Sequence, residues 1–106
     1  MTNAVTIDFE GIEGPVYTGR ARGQQLRAEL GLDALDAQNI DVDVAIPSST
    51  YTISSSFFLG LFGPSVVRAG SKDAFYKRYH FKSPVFLKDA MDGYVSRALQ
   101  SRNLFA

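Results

Sequence analysis

The sequence contains no cysteine and only one histidine, His80, among its 106 residues. The lack of cysteine excludes disulfide bonds and metal sites built on thiolates. A single histidine argues against a histidine-based metal site, and no nucleophile-elbow motif surrounds any serine. We therefore expect no metal, no cofactor and no enzymatic activity.

Long apolar runs are also missing. No stretch is long and apolar enough to span a bilayer, and the N-terminus lacks the basic segment and apolar run of a secretory signal. A chain of this length has room for one hydrophobic core. The sequence therefore predicts a single domain over residues 1–106, located in the cytoplasm and without a membrane partner.

The net charge is zero, but the two halves of the chain differ. Residues 1–53 carry eight acidic and three basic side chains, a net charge of −5, whereas residues 54–106 carry three acidic and eight basic ones, a net charge of +5. Such asymmetry can mark a basic face for an acidic partner. Alternatively, folding brings the two halves together and cancels the field.

The clearest local pattern runs from residue 41 to residue 67. Polar and apolar residues alternate over 41–46, which predicts a half-buried strand that ends at Pro47. Three serines at 54–56 then precede the apolar run 57–62. Serine is a strong helix N-cap, so this junction predicts the start of a buried helix.

Pro64 complicates that helix, because proline lacks an N–H and pushes against the preceding turn. We expect either a kink at Pro64 or a helix that ends near Phe62. In the second case Val66 and Val67 would lie on a separate segment, which stops at Gly70.

The N-terminal half offers further elements. Alternation predicts a first strand over residues 4–10, and Val16 with Tyr17 suits a short hairpin return. Thr18 is a good N-cap for a helix over 19–30 that Gly31 would end. Residues 32–39 suit a brief turn that packs against the core.

The C-terminal half predicts a short helix over Asp73–Arg78, a strand over Tyr79–Lys82 and a last amphipathic helix. Ser83 and Pro84 would begin that helix, which should end near Arg102. Together the elements predict an α/β fold: a small sandwich of a mixed β-sheet with helices packed mainly on one face.

A strand that feeds Ile53-Ser54-Ser55-Ser56 and then an apolar helix resembles the STAS domains of bacterial anti-sigma-factor antagonists. The chain resembles more closely a smaller STAS-like family of unknown function, in Gly19-Arg20, in Ser56-Phe57 and in Leu61-Phe62-Gly63. The resemblance implies a non-catalytic regulatory module that switches between protein partners, beside an ATP-binding kinase-like regulator. It also places Ser55 where the antagonists carry a phosphorylated serine.

The expected protein-binding surface is the serine turn and the exposed part of the helix that follows. Its residues are Ser54, Ser55, Ser56, Phe57 and Phe58. A phosphate at a helix N-terminus meets free N–H groups and a favourable dipole, so phosphorylation of Ser55 could control docking. Alternatively, the serines simply cap the helix.

Two basic segments are candidates for contact with anions or nucleic acid. Lys77, Arg78 and Lys82 alternate with aromatic residues, a pattern that can grip phosphates and stack on bases. Arg20 and Arg22 lie at a helix start, where an anion can bind. The alternative is a solvated edge whose aromatic side chains face the core.

Two other functions stay open at this stage. The chain could be a small phage or mobile-element inhibitor that masks a host defence complex, or a nucleic-acid-binding module that uses its basic half. Self-association is a further expectation, because the apolar run at 57–62 and the tail Leu104-Phe105 could each form an interface between copies.

Overall fold

The computed structural model describes residues 4–12, 14 and 16–105, and their side chains as far as Gln100. Within these residues the chain forms five strands and five α-helices, with a 3-10 turn at Phe9–Gly11 after the first strand. The strands are β1 (Val5–Asp8), β2 (Val16–Tyr17), β3 (Val42–Ala45), β4 (Thr52–Ile53) and β5 (Tyr79–Lys82). The helices are α1 (Arg20–Leu30), α2 (Leu32–Ala37), α3 (Ser55–Ala69), α4 (Lys72–Arg78) and α5 (Val85–Phe105). No helix in this part of the chain has the length and hydropathy to cross a membrane.

The strands form two separate parallel sheets. β1, β3 and β5 lie in that order in the larger sheet, and β2 pairs with β4 in the smaller one. The predicted α/β sandwich is confirmed, but every pairing is parallel, where we expected a mixed sheet. β2 is also not a hairpin return onto β1, because it pairs instead with a strand from the middle of the chain.

One face of the larger sheet is buried and the other is open. Val44 lies between Ile7 and Phe81 on the buried face, which the helices cover. The neighbouring row of Thr6, Asp43 and His80 is polar and at least partly exposed. The alternation of polar and apolar residues along the strands therefore reflects a sheet with helices mainly on one side.

Helix α3 lies at the centre of the core and packs against both α1 and α5. It is one continuous helix through Pro64, so the second of the two alternatives, an end near Phe62, is wrong, and Val66 and Val67 belong to the same helix. Pro64 is exposed to solvent on the outer side. The predicted stop is confirmed, because Gly70 caps the helix in the left-handed conformation.

Two glycines bring α1 and α3 into close contact. A Cβ atom on Gly23 would overlap the carbonyl oxygen of Phe57, and a Cβ atom on Gly60 would overlap the carbonyl oxygen of Arg20. Gly63, one turn further along α3, differs: a Cβ atom there would meet only the side chain of Leu59, at 3.8 Å. The helices are therefore in backbone contact at Gly60, whereas a methyl group at Gly63 would meet only the side chain of Leu59, in ordinary van der Waals contact.

This difference predicts opposite effects for one substitution at two positions. Gly60→Ala should destabilise the protein by about 1–3 kcal/mol, because the rigid backbone of α1 must move. Gly63→Ala should be neutral or stabilising by up to about 1 kcal/mol, because alanine favours the helix and nothing obstructs its methyl group. Urea denaturation of both variants checks this, and equal losses of stability would contradict the helix contact described here.

Candidate functional site

The serine turn begins α3, as the sequence predicted, and joins this helix to the smaller sheet. Ser54 is the N-cap of α3, and its hydroxyl oxygen accepts a hydrogen bond from the Phe57 N–H at 3.1 Å. Its own N–H donates to the carbonyl oxygen of Tyr17 at 2.8 Å. Both bonds fix the direction in which the chain leaves β4 and enters the helix.

The serines and the phenylalanines that follow them differ in exposure. Ser55 is half-buried and Ser56 is exposed, so both hydroxyls lie near the surface at the helix start. Phe57 and Phe58 are 0% and 1% exposed. These two side chains belong to the core, so their assignment to the docking surface was wrong: a helix that lies on the sheet turns its first apolar residues inward.

The starts of α1 and α3 lie side by side. β2 and β4 are parallel, with Tyr17 opposite Ile53, and each strand leads directly into its helix. Arg22 covers this junction: its guanidinium lies 5.4 Å from the ring centre of Tyr17 and 5.7 Å from that of Phe57. It also donates to the carbonyl oxygen of Val16 at 3.1 Å. Arg22 is thus engaged with the protein itself.

A groove of about 550 Å³ runs over the outer side of α3, which we call the α3 groove. Helix α3 forms its floor, and α1 and α5 border it. The residues that line it are Arg20, Gln24, Arg27, Leu59, Gly60, Gly63, Pro64, Val67, Arg68 and Ala98. None of them is acidic, and Val67 leaves 38% of its surface exposed to solvent.

Small residues give the groove its depth. The floor at Gly60 and Gly63 has no side chains, and the space above Gly63 is open apart from Leu59. Pro64 has no N–H, so the carbonyl oxygen of Gly60 lacks the donor that the fourth following residue supplies in a regular helix. The floor is thus apolar and concave, with a backbone acceptor at its edge.

The basic residues of the sequence do not form one surface. Arg20 and Arg22 lie at the start of α1, near the ends of β1 and β3, because the Tyr17 hydroxyl just before α1 donates to the carbonyl oxygen of Phe9 just after β1. Arg78 lies at the opposite end of the sheet, where its guanidinium donates to the carbonyl oxygen of Ile40 at 2.7 Å. Lys77 and Lys82 are exposed.

The aromatic residues between these cations do not project into solvent. Tyr79 is 1% exposed and Phe81 is partly buried against the core. Base stacking by this segment requires exposed rings, and Tyr79 is buried while Phe81 is only partly accessible. The arrangement matches the alternative of a solvated edge with inward aromatic rings.

No pattern in the sequence predicted the buried charged cluster around Asp36, on α2. This carboxylate is 1% exposed and accepts four side-chain hydrogen bonds. The donors are the Ser65 hydroxyl (2.6 Å), the Tyr79 hydroxyl (2.6 Å), Arg27 (3.1 Å) and Arg78 (3.1 Å). Because all four donors point at one closed site, the cluster serves to join elements of the fold.

The cluster shifts two pKa values in opposite directions. Burial alone would raise the pKa of Asp36, but the hydrogen bonds from Ser65, Tyr79, Arg27 and Arg78 hold it below its ordinary value. Burial and the hydrogen bond to Asp36 raise the pKa of Tyr79 to about 12. The folded state therefore favours a charged Asp36 beside a neutral Tyr79.

A second cleft, of about 470 Å³, lies between β5 and α5. Its aromatic floor includes Phe58 and Phe81, and Asp92 at its edge accepts hydrogen bonds from Tyr76 (2.9 Å) and Lys72 (2.7 Å). Burial, together with Asp92, raises the pKa of Tyr76. Acidic and basic side chains both line this cleft, so it has no single electrostatic preference.

Comparison with protein-family models, curated proteins and solved structures gives no match for this chain. The resemblance to STAS-like proteins therefore stays a prediction. Among the described residues, no three His, Cys, Asp or Glu side chains lie together as a metal site. The α3 groove and the serine turn at the start of its floor helix are the candidate functional site.

The two shifted pKa values predict how stability depends on pH. Asp36 contributes to the stability of the fold at pH values above its pKa in the unfolded chain. This contribution is lost as the pH falls through the lower pKa that Asp36 has in the folded protein. The contribution of Tyr79 is complete below pH 10 and is lost as pH rises towards 12, about 2–3 kcal/mol in all.

Tyr79→Phe tests the predicted loss of stability at alkaline pH. The variant should lose about 1–2 kcal/mol of stability at neutral pH, since a hydrogen bond to a buried carboxylate is removed. Its stability should fall less than that of the wild type between pH 10 and 12. Tyr51→Phe is the control, because Tyr51 is 76% exposed. Identical alkaline profiles for the two variants in urea denaturation would refute the role of Tyr79.

Proposed function

We propose that the protein is a non-catalytic regulatory module that binds another protein through the α3 groove. The support lies in the shape and chemistry of this surface. A concave apolar floor with a polar border is the form in which proteins accept a helix or an extended segment of a partner. The groove lies on the exposed part of α3, where the sequence analysis predicted a protein-binding surface.

The unfilled groove beside Gly63, where an added side chain would first meet only Leu59, is the observation that carries this proposal. Well-packed helices seldom leave a cavity beside a backbone that lacks a side chain, because such a gap forfeits contacts. Here Leu59, Val67 and Ala98 surround the gap and supply apolar contacts for one inserted side chain. Anchors that fill such pockets provide most of the affinity in many protein interfaces.

The serine turn lies at the N-terminal end of the groove. Ser56, Gly60, Gly63 and Val67 follow one another at steps of three and four residues, so they share one side of α3. A phosphate on Ser55 or Ser56 would add negative charge at the start of α3, which lies next to the start of α1 because β2 and β4 are paired. Phosphorylation of Ser55 would in this way switch partners, as the resemblance to antagonist proteins implies.

Substitution of one glycine tests the docking surface. Gly63→Leu should fill the gap and prevent partner binding while the fold persists. Gly93→Leu is the matched control, since Gly93 lies in α5 with nothing within 4 Å of its Cβ position. Affinity capture from extracts of the source cells, followed by mass spectrometry, compares the wild type with both variants.

A partner retained by the wild type and by Gly93→Leu but lost by Gly63→Leu is the expected result. Failure to capture any protein, or equal capture by Gly63→Leu, would reject the proposal. The identity of the partner then separates a kinase-like regulator from a host complex masked by a mobile-element inhibitor, because both would use this surface.

The serine switch has its own test. Ser55→Glu, which places a fixed charge at the start of α3, should weaken binding of the captured partner by about tenfold, whereas Ser55→Ala should leave it unchanged. Titration of the purified partner measures both affinities. If Ser55→Glu binds as tightly as Ser55→Ala, phosphorylation at this residue does not control docking.

A further inference from the structure

We propose that the α3 groove selects an acidic amphipathic helix with one apolar residue midway between two acidic ones. This inference rests on the proposed protein-binding function and adds the chemical class of the partner. It follows from three properties of the groove: the sign of its charges, the distance between them and the apolar gap between them.

The charges available in the groove are all positive. Arg20 and Arg68 are exposed, and neither forms an ion pair with any residue that the structure describes. Arg27 also lines the groove, but Asp33, Asp36 and Ser65 engage its guanidinium. Two arginines with unused donors therefore face the groove, and carboxylates are the groups that arginine binds most specifically.

The spacing of the two arginines sets the spacing of their acidic partners. The backbone of Arg20 meets α3 at Gly60, where a Cβ atom would overlap its carbonyl oxygen, and Arg68 lies eight residues beyond Gly60 on the same helix, so the two residues are attached at opposite ends of the groove. At 1.5 Å per residue this separation is roughly 12 Å. Two acidic residues at positions i and i+8 of a bound helix would lie on one face at the same separation.

The apolar gap falls between the two charges. Gly63 and Pro64 lie midway between Gly60 and Arg68, with Leu59 and Val67 beside them. A leucine at position i+4 of the bound helix would therefore meet the open space above Gly63. The groove thus fits an acid–apolar–acid stripe at four-residue steps, which is one face of a helix.

Labelled synthetic peptides test this selectivity by fluorescence anisotropy. The first is an alanine-rich helix that carries Glu, Leu and Glu at four-residue steps, the second replaces both Glu residues with Lys, and the third replaces Leu with Gln. The wild-type protein should bind the first peptide at least about tenfold more tightly than either other peptide at low ionic strength.

Charge reversal in the protein completes the test. The double variant R20E/R68E should reverse the order, so that the lysine peptide binds more tightly than the glutamate peptide. The control double variant K77E/K88E changes the net charge equally, at two exposed cations outside the groove, and should keep the wild-type order. R20Q/R68Q should lose the preference without reversing it, and circular dichroism confirms the fold of each variant.

Three results would each overturn the inference. They are an R20E/R68E variant that still prefers the glutamate peptide, a K77E/K88E variant whose peptide preference changes as much, and a wild-type protein that does not bind the glutamate peptide. These results differ from failure of the proposed function. If Gly63→Leu loses a captured partner but R20E/R68E still binds it, the proposed protein-binding function stands. Only the inference that the partner is an acidic helix is then rejected.

Discussion

The carboxylate of Asp36 is the charge on which the arrangement of the helices depends. It is buried, and burial of a carboxylate costs several kcal/mol unless hydrogen bonds and opposite charges compensate. Its four donors come from α1, α3, the end of α4 and the start of β5. Removing any one of them leaves a charge that water cannot reach, so these elements are fixed in position together.

This constraint explains why the groove can exist. Arg27 binds Asp36 and also donates to the carbonyl oxygen of Leu61 at 2.9 Å, which holds α1 against α3. Gly23 and Gly60 let the two backbones meet at one crossing point. Because the inner contacts fix the helices, the outer side of α3 need not be filled, and open space at Gly63 costs little stability.

The sequence predicted much of the fold but little of the site. Periodicity and capping residues identified β3, α3, α4 and β5, because those signals are local. The pairing of β2 with β4 was missed, since strands of two residues carry no pattern of their own. Asp36 was read as part of a brief turn, because its donors lie 9 to 43 residues away. Phe57 and Phe58 were assigned to the surface by proximity to the serines.

The larger sheet has a helical layer on one side only, whereas parallel sheets are usually covered on both. Strand positions therefore divide into two classes. Changes in the row of Ile7, Val44 and Phe81 disturb the core, while the row of Thr6, Asp43 and His80 can vary with little penalty. Tolerated substitutions should consequently occur at every second position along each strand. The open row also offers a place where a fused domain or an added layer could be built without repacking the interior.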